Sequence, residues 1–425
     1  MKVIIIGGGW SGCAAAITAK KAGAEVEIYE KTDLLLGLGN VGGIMRNNGR
    51  YTASEELLAL GAGDLINITD NNTRHRNIDF PGHKHAWLYD VNKIEPSVLN
   101  YLKDLDISIN LIKRVIDVKK INNKIEGIYL SDGTYITGDV FIETTGSTGP
   151  MGNCLKYGNG CSMCILRCPA FGPRVSISSR AGVDDLQGER EDGDLGAFSG
   201  SCKLAKESLS PEIVEELDTK GVVVLKIPYE DVNLDKLKIK VCQQYALKEF
   251  AENVILLDTG HAKLMTTFYP LEKLRKIPGL EGVKFIDPYA GGKGNSIRYL
   301  SVAPRNDDMK VKGIDNLFCG GEKSGLFVGH TEAILTGSLA GHNAVRSALG
   351  IPSLILPRDL ATGDLLAFAN YKMLEKDGRR KRYTFAGSEY FKRMIELGLY
   401  TTDREEIKRK VEKLNLTNIF NQKLV

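Results

Sequence analysis

The sequence predicts an α/β protein: a Rossmann-like dinucleotide-binding domain, interrupted by an inserted α+β domain and closed by a helical C-terminal tail. Three observations lead there. The apolar run Val3–Ile6 passes directly into Gly7-x-Gly9-x-x-Gly12, an Ala-rich helical stretch follows, and the glycine-rich style returns over 285–350. The 425 residues exceed one ordinary core, and 43% apolar with 26% charged residues is a globular composition. Lys and Arg (56) nearly cancel Asp and Glu (53), which excludes a uniformly basic nucleic-acid binder but leaves room for a local basic face. No apolar run reaches the roughly 18 residues of a membrane span, and no signal-peptide core follows Lys2. A cytoplasmic chain is expected, with its eight cysteines reduced.

Each element follows from its local pattern. Val3–Ile6 is apolar without alternation, as a strand buried on both faces should be. Cys13–Ala22 reads as the first helix, and Ala24–Tyr29 as an alternating second strand that ends at Glu30. Val98–Leu102 reads as helix and Ile107–Val118 as strand-like runs. Lys124–Leu130 and Tyr135–Thr137 flank Asp132-Gly133, a hairpin signal. Val140–Ile142 is a further buried strand, leading to Gly146. Beyond about residue 150 the texture shifts to Gly, Cys, Pro, Arg and Ser, then to an acidic loop over 182–200. The expected division is 1–154 and 285–356 for the two parts of the dinucleotide domain, 155–284 for the insertion, and 357–425 for the tail. The basic run Arg379–Arg382 is expected on an exposed helix face, with a phosphate-binding edge as the alternative.

The glycine fingerprint lies between strand and helix, with Glu30 eighteen residues after Gly12. Gly7 permits the tight turn, Gly9 lets a pyrophosphate approach the backbone, and Gly12 lets helix pack on strand. The helix N-terminus then faces the phosphates, and Glu30 is placed to accept from ribose hydroxyls. A second cluster selects FAD over NAD. Leu317–Cys319 ends in Gly320, Gly321 and Glu322 and precedes the small-residue helix Thr331–Arg346, which resembles the second flavin-contacting motif of two-dinucleotide-domain flavoproteins. The expected cofactor-binding residues are Gly7, Gly9, Gly12, Glu30, Lys31, Gly146, Gly321 and Glu322. His330 starts that helix, where a proton donor would serve a flavin.

Cys154, Cys161, Cys164 and Cys168 are spaced C-x6-C-x2-C-x3-C, with Pro169 after the last. Four thiolates in one loop can enclose a cubane or a tetrahedral metal, and the last three match the bacterial ferredoxin run. The reading is a 4Fe–4S cluster, with zinc as the alternative and a redox-active thiol set as a third. Cys13 and Cys319 read as packed residues, and Cys202 and Cys242 as a spare ligand or nucleophile. Cys202 joins His330 as a catalytic candidate. His83, His85 and Trp87 read as an aromatic-rich loop. Arg298 and Arg305 could bind a phosphate or carboxylate.

Arg275-Lys-Ile-Pro-Gly-Leu-Glu281, Leu317-Phe-Cys-Gly-Gly-Glu322 and Gly341-His-Asn343-Ala344 carry a family resemblance, together with the N-terminal fingerprint and, more loosely, Gly42–Leu60. The chain resembles the flavoprotein superfamily of the folate-dependent tRNA uracil methyltransferase (TrmFO) and the glucose-inhibited division protein A (GidA). The likeness covers about half the chain and is poor over 150–260. It implies a GidA- and glutathione-reductase-like FAD domain with an insertion, and a role in modifying RNA uridines. One motif departs. The methyltransferases carry a cysteine just before an Asn-Ser-Leu-Arg-like loop, whereas Val41-Gly-Gly-Ile-Met-Arg46 stands here and no cysteine falls between Cys13 and Cys154. The leading expectation is therefore an FAD-dependent oxidoreductase whose iron–sulfur cluster exchanges electrons with the flavin, acting on a small molecule or nucleobase with a redox partner. The alternative is a flavin-dependent RNA uridine-modifying enzyme, acting on tRNA or rRNA, with a structural metal. An oligomer is compatible with either, and no membrane partner is expected.

Overall fold

The computed structural model describes residues 1–146, 171–199, 202–266, 269–286, 296–298 and 300–425. A five-stranded parallel sheet carries the fold. Its strands are β1 (Lys2–Ile6), β2 (Glu25–Tyr29), β3 (Ser108–Asn110), β4 (Val140–Glu143) and β5 (Leu317–Cys319), in the order β5-β4-β1-β2-β3. β1 is central: Ile4 pairs with Phe141 on one side and Glu27 on the other. Val3, Ile4 and Ile5 are fully buried, which is why this strand is uniformly apolar.

β4 and β5 are distant in sequence yet pair in register, Phe141 with Leu317. The chain therefore leaves this sheet and returns to it. Helix α1 (Trp10–Lys21) follows β1, and α2 (His330–Ala348) follows β5. The two helices pack backbone to backbone through small residues. A Cβ on Gly337 would lie 2.1 Å from the Ser11 carbonyl oxygen, and one on Gly341 would lie 2.2 Å from that of Ala15. Gly337→Val should force the helices apart and cost about 3 kcal/mol or more, read as a lower urea midpoint. An unchanged midpoint would contradict this packing.

The sheet's satellites follow local chemistry. Val115–Ile121, Lys124–Leu130 and Tyr135–Thr137 form a three-stranded antiparallel sheet, with the expected hairpin turn at Gly133. His83–Tyr89 is a strand rather than a loop, paired with Thr73–Phe80. It buries His83, Ala86 and Leu88 while Lys84 is exposed, and pairing with a bulged partner hid this pattern in the sequence. Burial pushes the His83 imidazole down to about 3, so this histidine is a neutral core residue.

Strands Cys202–Leu204, Val222–Lys226, Asn253–Asp258 and Ala262–Leu264 make a four-stranded antiparallel sheet. Helix Pro211–Lys220 backs it, started by Pro211 at its first turn and the Ser210 cap, and ended by Gly221 at φ +75°. Leu204, Leu217, Val254 and Leu256 form its own apolar core.

The tail carries helices Ala361–Met373, Ser388–Glu396 and Arg404–Lys413. Glu56 caps the first, accepting from the Ala361 and Thr362 amides at 2.9 and 2.8 Å. The run Arg379–Arg382 is not an exposed face. Arg382 is 2% exposed and donates to the carbonyl oxygens of Glu189, Lys381 and Arg379. Arg380 and Lys381 meet Glu189 and Glu191 at 3.2 and 3.4 Å, so the acidic loop neutralises the basic run. Among the described residues, no helix is long and apolar enough to cross a membrane.

Candidate functional site

After β1 the chain must turn into α1 within three residues. Gly7 does so at φ +104°, where a Cβ would lie 2.5 Å from the Thr144 carbonyl oxygen. A Cβ on Gly12 would lie 1.9 Å from the Gly7 carbonyl oxygen, so helix and turn touch. Gly9 differs. A Cβ there would meet nothing within 4 Å, because it opens onto a cleft. The cleft has an empty volume of about 1550 Å³, mouth included, and runs from the glycine turn to the start of α2, a length that suits an extended ligand.

The N-terminus of α1 opens on this cleft without a side-chain cap, and the buried Ser11 hydroxyl beside it has no partner among the described residues. First-turn amides in need of acceptors, an orphan hydroxyl and the space left by Gly9 together fit a pyrophosphate. At this nucleotide end Glu30 takes the Gly8 amide at 2.7 Å and the Thr32 amide and hydroxyl at 2.8 and 2.9 Å. Glu30 thus locks the turn, and a carboxylate's four lone-pair sites leave room for a hydroxyl donor. Lys31, Lys113, Arg114 and Arg174 line the same end, beside Gly146.

The other end lies where α2 begins. The His330 ring packs 5.4 Å from Trp10, and its Nδ1 lies 3.3 Å from the Tyr89 hydroxyl. Gly42 presses on this ring, since a Cβ there would fall 2.0 Å from His330 Cε1. Facing them from residues 240–265 are Lys240, Cys242, Gln244, Tyr245, Lys263 and Met265. Gly321 and Glu322 also line the cleft, and the Gly321 amide donates to Thr336 Oγ1 at 2.7 Å. In the described lining, two carboxylates, Glu30 and Glu322, stand among seven basic side chains. An anionic ligand suits that balance.

The expected cofactor residues other than Gly12 therefore line one cleft, and Gly12 lies behind that lining in the first turn of α1. Cys202 lies on its strand outside the described lining, whereas Cys242 is in it. Arg305 is no anion site: it is fully buried and donates to the carbonyl oxygens of Ser324, Asn306 and Leu366. The Arg298 side chain and Cys154, Cys161, Cys164 and Cys168 lie outside the described residues. Among the described residues no group of His, Cys, Asp or Glu is arranged to hold a metal. Burial pushes the Cys13 and Cys319 thiols up, in keeping with packing roles. Arg50, Lys240, Gln244, Tyr245 and Lys263 carry no local motif that would have marked them.

A parallel sheet, a glycine turn and one long cleft reached by two helix N-termini define a Rossmann-type protein with the FAD-binding fold of flavoproteins. The family model "Glucose inhibited division protein A" matches residues 2–255 and 247–352, and the chain belongs to that family. It is 24% identical over 413 residues to the tRNA uridine 5-carboxymethylaminomethyl modification enzyme MnmG of Clostridium botulinum, across 84% of this chain and 63% of the relative. The MnmG of Chlorobaculum tepidum is 40% identical over 115 residues, 27% of this chain and 18% of that protein. The chain thus spans less than two thirds of these relatives. In fold it resembles Aquifex aeolicus GidA, with a TM-score of 0.65 at 17% identity, over 97% of this chain and 76% of that one.

Proposed function

We propose that the chain binds FAD along the cleft and modifies uridines in RNA, with tRNA as the substrate class. One observation carries this reading: the dinucleotide cradle and a pocket bearing Cys242, Lys240 and His330 are two ends of a single cleft. Family membership supports the flavin, and the relatives named for tRNA uridine modification support the substrate. The uridine-modifying alternative thereby displaces the iron–sulfur oxidoreductase as the leading reading.

FAD supplies two-electron redox chemistry when bound. Gly7, Gly9, Ser11 and the end of α1 would hold its pyrophosphate, and Glu30 its ribose, with Lys31, Gly146, Gly321 and Glu322 along the same wall. Cys242 is the nucleophile of the reaction end, and His330 holds a proton there. Cys242→Ser should keep stoichiometric flavin absorbance while lowering uridine modification about 100-fold or more, read by mass spectrometry of digested tRNA. Undiminished modification by that variant would remove Cys242 from the mechanism.

The spacing of Cys154, Cys161, Cys164 and Cys168 supports a metal as a second element of the proposal, a 4Fe–4S cluster first and zinc second. Anaerobic purification followed by iron, sulfide and zinc analysis should return one cluster or one ion per chain, and a metal-free protein would end this reading. The division at 154, 284 and 356 and a cytoplasmic location complete the proposal.

A further inference from the structure

The strand His83–Tyr89 ends at the reaction end of the cleft, where the Tyr89 hydroxyl lies 3.3 Å from His330 Nδ1. Two residues earlier, about 7 Å along the strand, Trp87 stands on the same face and is partly exposed. The guanidinium carbons of Arg46 and Arg76 lie 4.6 and 4.8 Å from its ring centre. Tyr51, in the first turn of the helix Arg50–Leu60, continues the series. Arg46 lies 5.5 Å, Arg404 5.8 Å and the His85 ring 5.9 Å from its ring centre. Cations and rings therefore alternate from Arg76 through Trp87, Arg46 and Tyr51 to Arg404. The bulged pairing with Thr73–Phe80 holds His85 at φ +60°, uncommon for a residue with a side chain, with its Nδ1 3.1 Å from Asn77 Oδ1. The charges do not balance here. Among the described residues Arg46 pairs with Glu55 and Asp70, and Arg404 shares Glu55 at 3.2 Å. Arg46 is 1% exposed and fastens the set from within. Arg76 is exposed and meets no carboxylate among the described residues, donating instead to the Asp70 carbonyl oxygen at 3.1 Å.

We infer that Tyr51, His85 and Trp87, with Arg76 and Arg404, form a docking surface for single-stranded RNA, holding nucleotides next to the one that enters the cleft. Unpaired bases stack on aromatic rings and on guanidinium planes alike, and an exposed arginine without a carboxylate suits the phosphates between them. That unbalanced cation favours a polyanion over a protein partner. The strand joins this surface to the reaction end within two residues. The identity of the RNA rests on the uridine-modifying reading, whereas the surface rests on its rings and its charge.

The test measures binding of a short uridine-containing single-stranded RNA to the FAD-loaded protein by fluorescence anisotropy, with the same RNA fully paired as the comparison. The single strand should bind more tightly than the duplex. Tyr51→Leu should weaken its binding about tenfold or more, while Tyr51→Phe, which keeps the ring, should not. Arg76→Ala should weaken binding and reduce the slope of log affinity against log salt by about one. Lys312→Ala, at an exposed lysine beside β5, should change neither. Wild-type affinity in Tyr51→Leu would overturn the inference, as would equal binding of single strand and duplex. So would self-association of the wild type in light scattering that Tyr51→Leu abolishes while RNA affinity holds, since the face would then join copies of this chain. If Tyr51→Leu does not fold, the wild type decides. Ultraviolet crosslinking to an RNA carrying 4-thiouridine should label Tyr51, His85 or Trp87, and labelling confined to other residues refutes the surface. Weakened binding in the variants beside an unchanged tRNA nucleoside profile on deletion would keep the surface and end the uridine-modifying reading. Normal RNA affinity in the variants, with a uridine modification lost on deletion, would do the reverse.

Discussion

Gly9→Val is expected to give a folded protein that purifies without flavin. Gly9 sits at φ −68° and ψ −178°, a conformation open to any residue, and its Cβ would enter empty space. The fold therefore tolerates the change. The new isopropyl group occupies the place where a pyrophosphate must approach the α1 amides, and FAD affinity should fall about 100-fold or more, roughly 3 kcal/mol. Flavin absorbance per chain, with a thermal melt beside it, reads both outcomes. Gly12→Val makes the contrast. Its side chain would run into the Gly7 backbone, so it should cost the fold itself. Stoichiometric FAD in folded Gly9→Val would place the cofactor elsewhere.

Glu332→Ala should be the most destabilising single change outside the glycine turns. Glu332 lies in the first turn of α2, fully buried. Its oxygens take the Arg50 guanidinium at 3.2 Å, the Thr384 hydroxyl at 2.7 Å and the Phe385 amide at 2.9 Å. Three parts of the chain meet on this one carboxylate: the helix Arg50–Leu60, the flavin-side helix and the tail. Removing it leaves the Arg50 charge buried against neutral partners, which costs about 3–5 kcal/mol. Urea unfolding measures the loss, and Glu332→Gln should recover part of it. A loss below about 1 kcal/mol would mean that water reaches Arg50.

The dinucleotide half of the molecule was legible because its signals are local. An unbroken apolar run, a glycine turn and an acid at the next strand end each act within a few residues of where they are read. The far end of the cleft was not legible, because Lys240 and Lys263, about 230 to 250 residues beyond the glycine turn, reach the same cleft only in the folded chain. The basic run misled for a related reason. Arg382 reads as a solvated charge until the tail brings it against backbone carbonyl oxygens and the acidic loop supplies Glu189 and Glu191. Arg305 is similar, its guanidinium donating to the carbonyl oxygens of Ser324 and Leu366, from distant segments, rather than to a ligand.

One measurement bears most directly on the central claim that a flavin cradle and a uridine-modifying pocket share the cleft. Transfer RNA is prepared from cells that carry this chain and from cells in which it is deleted, and the digested nucleosides are compared by mass spectrometry. A 5-substituted uridine should vanish on deletion, return with the wild-type chain, and fail to return with Gly9→Val or Cys242→Ser. An identical nucleoside profile in the two preparations would contradict the account.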